Sequence, residues 1–153
     1  RQEHYFVEQL KIAREFDLPV LLHVRRSIDQ VLKCLRQTPV RGGIAHAFNG
    51  SRQQANEFIK LGFKLGFGGA MTYPRATRMR QLATTLPLES IVLETDAPDI
   101  PPIWLTGLPN PRNSPQQLLP IAQTLAELRS LNVAQIIETT GANAHAVIQG
   151  LDR

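Results

Sequence analysis

Four short apolar runs recur along the chain, at residues 18–24, 43–48, 64–69 and 90–95, and helical signals fill the stretches between them. Parallel strands cannot be joined by a tight turn; each connection needs roughly a dozen residues or more, usually as a helix. Spacing of this kind therefore predicts right-handed βαβ units and a parallel sheet in an α/β fold. Antiparallel hairpins are excluded at these positions. A barrel of parallel strands carries its chemistry at the C-terminal rim, so the last residues of each run are the first place to look for function.

The connecting segments carry specific helix signals. Phe6, Leu10 and Ala13 form one stripe in a helix over residues 1–16, and Arg1 with RQEHYFVEQLKIAREF reads as mid-helix rather than as a start. Pro19 opens the first strand, where a missing N–H is tolerated. Ser27 with Gln30, and Ser51 with Gln54, read as capping boxes for helices ending near residues 36 and 61. A further helix is expected over about 75–86. Ser114 and Pro115 supply N-cap and N1 signals for a helix to about residue 131, followed by one over 133–148. These last two are expected to close the C-terminal end. No linker interrupts the chain, so residues 1–153 read as a single domain, and 42% hydrophobic content suits one core.

Composition narrows the function classes. No apolar run approaches the ~20 residues of a membrane span, and no signal-peptide pattern is present. Cys34 is the single cysteine, which excludes an internal disulfide and fits a reducing, cytoplasmic setting. Val31, Leu32 and Leu35 around it predict a buried helix position. A formal charge of +4 permits an anionic partner.

Strand alternation sorts the side chains. If His23 points inward, so do Leu21 and Arg25, while Val20, Leu22 and Val24 face the helices. Ile44, His46 and Phe48 are expected on one face, as are Val92, Glu94 and Asp96, with Ile91, Leu93 and Thr95 opposite. Gly66, Gly68 and Ala70 share a face and leave space. Two histidines and an aspartate at equivalent strand ends form a ligand set for a divalent ion: His23, His46 and Asp96. Such an ion polarises a phosphoryl oxygen and acidifies water. Asp96 is read as ligand and proton acceptor. Glu94 is read as its catalytic neighbour, either binding metal or hydrogen-bonding a ligand. Arg25, Arg26, Arg52, Arg75 and Arg112 follow strand ends and suit phosphate contacts, Arg25 foremost. Arg78 and Arg80 read as a solvated helix face, and His4 and His145 as surface residues. Tyr73 could stack on a base. Trp104 could do the same, but reads rather as packing the proline-rich loop onto the barrel.

The segments PVLLHVRRSID, HAFNGS, GFGGAMTYPRA and LPLESIVLETDAP closely resemble the TatD family of metal-dependent deoxyribonucleases, over essentially the whole chain. Ser27 and Ile91 stand where the family usually has Thr or Ala and Leu. The resemblance implies a TIM-type (β/α)8 barrel of the metal-dependent hydrolase superfamily, of which four parallel strands plus helices, about the C-terminal half, are expected here. His23, His46 and Asp96 match the family's ligands after strands five, six and eight. The family's HxH motif and a metal-binding glutamate precede anything in this sequence. Asn113, after Arg112 in PRNSP, is similar to an RN element that shapes the site. The implied function is hydrolysis of phosphodiester bonds in DNA with two divalent ions, Mg, Mn or Zn, impaired in this chain by itself. Alternatives are an amidohydrolase acting on C–N bonds and a non-catalytic half barrel that oligomerises to cover its open edges.

Overall fold

The computed structural model describes residues 1–109 and 111–148; the end of the expected domain, residues 149–153, lies outside them. Four strands form one sheet: β1 (Val20–His23), β2 (Gly43–His46), β3 (Phe63–Phe67) and β4 (Ile91–Leu93). All pairings are parallel and the spatial order follows the chain, β1-β2-β3-β4. Helices α1 (Gln2–Glu15), α2 (Ile28–Gln37), α3 (Arg52–Lys60), α4 (Thr77–Thr85), α5 (Leu118–Arg129) and α6 (Val133–Ile148) complete the described elements, with short 3₁₀ turns between some of them.

The strands stop earlier than the apolar runs do. Ala47 (φ 47°) and Asp96 (φ 51°) are both left-handed, which breaks the ladder just after His46 and shortly after Leu93. The Ala47 turn also reverses the alternation beyond it. Phe48, expected beside His46, is instead 3% exposed and packs edge-on to Phe58 of α3 at 5.9 Å. Within the strands the alternation holds: Leu22 is 4% exposed and its neighbour Leu21 69%. The core lies between the helix-facing side of the sheet, with Leu22, Ala45, Leu65, Phe67 and Ile91, and buried helix residues such as Leu35, Phe58, Leu125 and Ile136.

Ser51 forms its capping box, accepting from Gln54 N at 3.1 Å while Gln54 Oε1 accepts from Ser51 N at 2.9 Å. Ser27 makes no side-chain cap: its backbone (φ −141°, ψ 24°) lacks the extended conformation that Ser51 has (φ −81°, ψ 167°), and the Gln30 side-chain amide donates to Glu3 Oε2 of α1 at 2.9 Å. Ser114 likewise makes no side-chain cap, and residues Pro115–Gln117 form a 3₁₀ turn ahead of α5. Helix α4 starts two residues later than expected, after a 3₁₀ turn at Gly69–Thr72.

Helix α6 does not close the end of the sheet where the histidines lie. Asn143 donates to Leu88 O at 2.9 Å and Ile91 O at 2.7 Å, gripping the start of β4. Arg41, just before β2, donates to Val147 O at 3.2 Å. The helix thus passes beneath the N-terminal ends of the strands, opposite the rim, and leaves that rim open for function.

Candidate active site

His23 and His46 are the last residues of β1 and β2 and are paired partners in the ladder. Parallel in-register pairing brings their rings together, with centroids 5.3 Å apart and His23 Nδ1 3.2 Å from His46 Nε2. Two donors on one ion, with bonds near ~2.1 Å meeting at about 100°, stand ~3.2 Å apart, so the separation is compatible with neighbouring ligands as well as with a ring-to-ring hydrogen bond. Asp96 follows two residues after Glu94, and the left-handed turn at Asp96 itself carries its Oδ1 to 3.8 Å from the same His46 Nε2.

Glu94 sits behind His46. Its Oε1 accepts from Ala47 N at 2.6 Å and lies 3.2 Å from His46 Nδ1. An ionised carboxylate only accepts, so Nδ1 carries the proton and the Nε2 lone pair faces His23 and Asp96. Of the two roles open to Glu94, the geometry matches the one that orients a histidine. Burial lifts its carboxyl above the ordinary value, against the lowering effect of the Ala47 N–H and of His46. Room for the side chain comes from β3. A Cβ at Gly66 would collide with Glu94 Oε2, and one at Gly68 would meet Glu94 O at 2.6 Å. The expected space above Gly66 and Gly68 therefore exists, and Glu94 fills part of it. What is left, about 120 Å³, is lined by Ala70, Asn49, Thr95 and Asp96 among others.

Two imidazoles and a carboxylate are the donor types that suit zinc and similar divalent ions. Among the described residues no group of three or more His, Cys, Asp or Glu side chains is arranged to hold a metal ion.

The other candidates divide. Asn113 is 4% exposed, and its amide donates to Thr95 O at 2.8 Å and Asp99 O at 2.5 Å, clamping both sides of the turn that carries Asp96. Tyr73 donates to Pro101 O at 3.0 Å and lies 3.1 Å from Thr106 Oγ1, while Arg75 rests over its ring at 5.5 Å. Arg25 and Arg112 are exposed and make no hydrogen bond or ion pair among the described residues. Arg52 is occupied elsewhere, bonded to Thr85 through both its main-chain carbonyl and its hydroxyl. Arg78 and Arg80 are not simply solvated: they donate to Asn49 Oδ1 at 3.1 Å and Met71 O at 3.2 Å, bracing loops beside the site. Trp104 holds the proline-rich loop as expected, donating to Gln117 Oε1 at 2.7 Å.

Sequence reasoning missed Thr72. It is 5% exposed, donates to Gly69 O at 2.6 Å and accepts from Ile103 N at 2.8 Å, tying the loop after β4 to the turn after β3. Its partners are main-chain groups, one of them 31 residues away, and such partners leave no pattern in side-chain types.

The TatD related DNase family matches residues 1–149. The chain belongs to this family. It is 42% identical over 148 residues to an uncharacterized metal-dependent hydrolase, YjjV, of Escherichia coli K12, covering 96% of this chain and 56% of that protein. It is 34% identical over 146 residues to the 3'-5' ssDNA/RNA exonuclease TatD of Shigella flexneri, covering 93% and 56%. The crystal structure of the E. coli YjjV protein superposes with a TM-score of 0.84 over 92% of this chain and 54% of that one. An uncharacterized amidohydrolase from Saccharomyces cerevisiae, at 19% identity and a TM-score of 0.78, shares the fold alone. The chain thus spans about half the length of these TatD relatives, and its four parallel strands and helices match part of the TatD barrel.

Proposed function

We propose that this chain carries the histidine–aspartate part of a divalent-metal-dependent phosphodiesterase acting on DNA, a TatD-like DNase. The observation that supports it most is the in-register His23–His46 pair, with Asp96 Oδ1 3.8 Å from His46 Nε2, the nitrogen that faces His23. His23, His46 and Asp96 are the residues that would hold the ion, whether Mg, Mn or Zn. The ion supplies Lewis-acid polarisation of the phosphoryl group and acidified water.

The residues of the chain do the remainder. Asp96 accepts the proton of the attacking water through its free carboxylate oxygen. Glu94 fixes the His46 tautomer and so keeps the Nε2 lone pair aimed at the site. Asn113 holds the Asp96 turn in place. Arg25, Arg75 and Arg112 meet backbone phosphates, with guanidinium forks that match phosphate oxygens. Tyr73 supplies a flat apolar wall beside them. The E. coli and Shigella relatives, named as a metal-dependent hydrolase and a 3'-5' ssDNA/RNA exonuclease, agree with this class of chemistry. Among the described residues no helix is long and apolar enough to cross a membrane. With a lone buried thiol at Cys34, a reducing cytoplasmic setting completes the proposal.

The test uses the protein expressed from its intact gene. It should cleave an oligodeoxynucleotide, lose that activity in chelator and regain it with Mg, Mn or Zn. Asp96→Asn should lower kcat by roughly 10²-fold or more. Hydrolysis of a cyclic amide in place of the oligonucleotide would move the protein to the C–N hydrolases, and full activity in Asp96→Asn would refute the role given to that carboxylate.

A further inference from the structure

A second hollow of about 490 Å³ adjoins the site, within the ~300–1,000 Å³ that small-molecule pockets occupy. Its lining residues are Ala70, Tyr73, Arg75, Ala76, Ile100 and Pro101, and it shares Ala70 and Ile100 with the cavity beside Glu94 and Asp96. We propose that this hollow is a nucleotide subsite, with Arg75 taking the phosphate next to the scissile one and the Tyr73–Ile100–Pro101 wall taking its base. The proposal rests on the phosphodiesterase reading and adds a place for the neighbouring nucleotide.

Three features of the hollow support that occupant. Tyr73 is immobilised by its hydroxyl, which bonds Pro101 O at 3.0 Å and lies 3.1 Å from Thr106 Oγ1. Its ring is therefore held fixed at the edge of the hollow, at little ordering cost when a flat apolar group arrives beside it and Arg75. Arg75 lies over that ring with its guanidinium carbon 5.5 Å from the centroid. A cation–π contact holds a guanidinium in place without using its N–H groups. Arg75 makes no hydrogen bond or ion pair among the described residues, so all five donors are free for an anion, in a fork that matches phosphate oxygens. The remaining wall, Ile100, Pro101, Ala70 and Ala76, is apolar and offers nothing to a second anion. A cation already oriented beside an apolar wall matches a nucleotide, which pairs one phosphate with one flat base. A free inorganic anion would use only half of the hollow, and an apolar ligand would leave the guanidinium without a partner.

The subsite is tested by binding of a fluorescent thymidine trinucleotide to the protein from its intact gene, in chelator and across a salt series. Arg75→Ala should weaken binding on the order of tenfold and reduce the log–log salt slope by about 0.7, the contribution of one single-strand phosphate. Arg75→Lys should restore the slope but only part of the affinity, since an ammonium has neither the fork nor the planar stack. A trinucleotide lacking its bases should bind the wild type more weakly than the intact one. Arg14→Ala, which removes an exposed charge on α1, should change neither affinity nor slope. Equal effects of Arg75→Ala and Arg14→Ala, or equal binding with and without bases, would overturn the subsite. Turnover of bis(p-nitrophenyl) phosphate by the metal-loaded wild type is measured in parallel. Its absence alongside Arg75-dependent binding would refute the phosphodiesterase reading and retain the nucleotide site; its presence with Arg75-independent binding would remove the site alone.

Discussion

Glu94 is a carboxylate placed where its charge is disfavoured and its shape is required. Burial raises its pKa, yet Ala47 N and His46 Nδ1 both lie against one of its oxygens. A carboxyl whose folded value exceeds its unfolded one destabilises the fold while ionised. That penalty is present above the raised value, shrinks as pH falls through it, and is gone below the ordinary carboxylate range. Glu94→Gln keeps an oxygen for both donors and removes the charge. The variant should therefore be more stable than wild type at ~pH 8, with the difference narrowing toward ~pH 4. Urea midpoints at the two pH values measure this, and a variant less stable at both would contradict it. Its metal affinity should fall roughly 10–100-fold, because the carboxylate behind a histidine ligand raises the basicity of the ring. The sequence shows Glu94 two residues before Asp96. It does not show that Gly66, on another strand, is the residue that makes room for it.

At the scale of elements, two identical signals had different outcomes. Ser27-x-x-Gln30 and Ser51-x-x-Gln54 have the same spacing, and only the second closes into a capping box. In the first, the Ser27 backbone is off the extended N-cap conformation and the Gln30 side chain bonds Glu3 on α1, a partner that exists only after the chain has folded. Ser51→Ala should cost about 1 kcal/mol, and Ser27→Ala no more than a few tenths, since no cap is lost. Paired urea denaturation of the two variants decides it; equal losses would show that the Ser27 hydroxyl has a role beyond the cap. The converse case is the start of α6, where Asn132 Oδ1 accepts from Ala134 N at 2.8 Å without having been singled out in the sequence.

Across the whole molecule, the sheet separates two environments residue by residue. Leu22 lies in the core, and adjacent Leu21 faces the side of the sheet that carries the histidines. Leu22→Ala should destabilise the 153-residue chain by about 2–5 kcal/mol, while Leu21→Ala should stay within roughly ±0.5 kcal/mol. Thermal unfolding of both variants is the measurement, and similar losses would mean that the Leu21 face is covered in solution. The same alternation, with the βαβ spacing, made the parallel sheet and the placement of His23 and His46 at strand ends readable from residue types alone. Alternation and βαβ spacing are local properties of the chain, so local information suffices for them. It failed where the backbone turned left-handed. Ala47 and Asp96 have no Gly or Asn signature, yet their turns bury Phe48 against Phe58 and carry Asp96 to His46. Asn113, Thr72 and Arg129 were equally opaque. Asn113 and Thr72 hold main-chain groups across the loop after β4, and Arg129 of α5 caps the end of α4 through Ala83 O at 2.7 Å and Leu86 O at 2.5 Å. Every backbone carbonyl looks alike in a sequence. Which one a buried donor reaches depends on how distant segments pack, and that packing is what brings strand-end side chains from different units together.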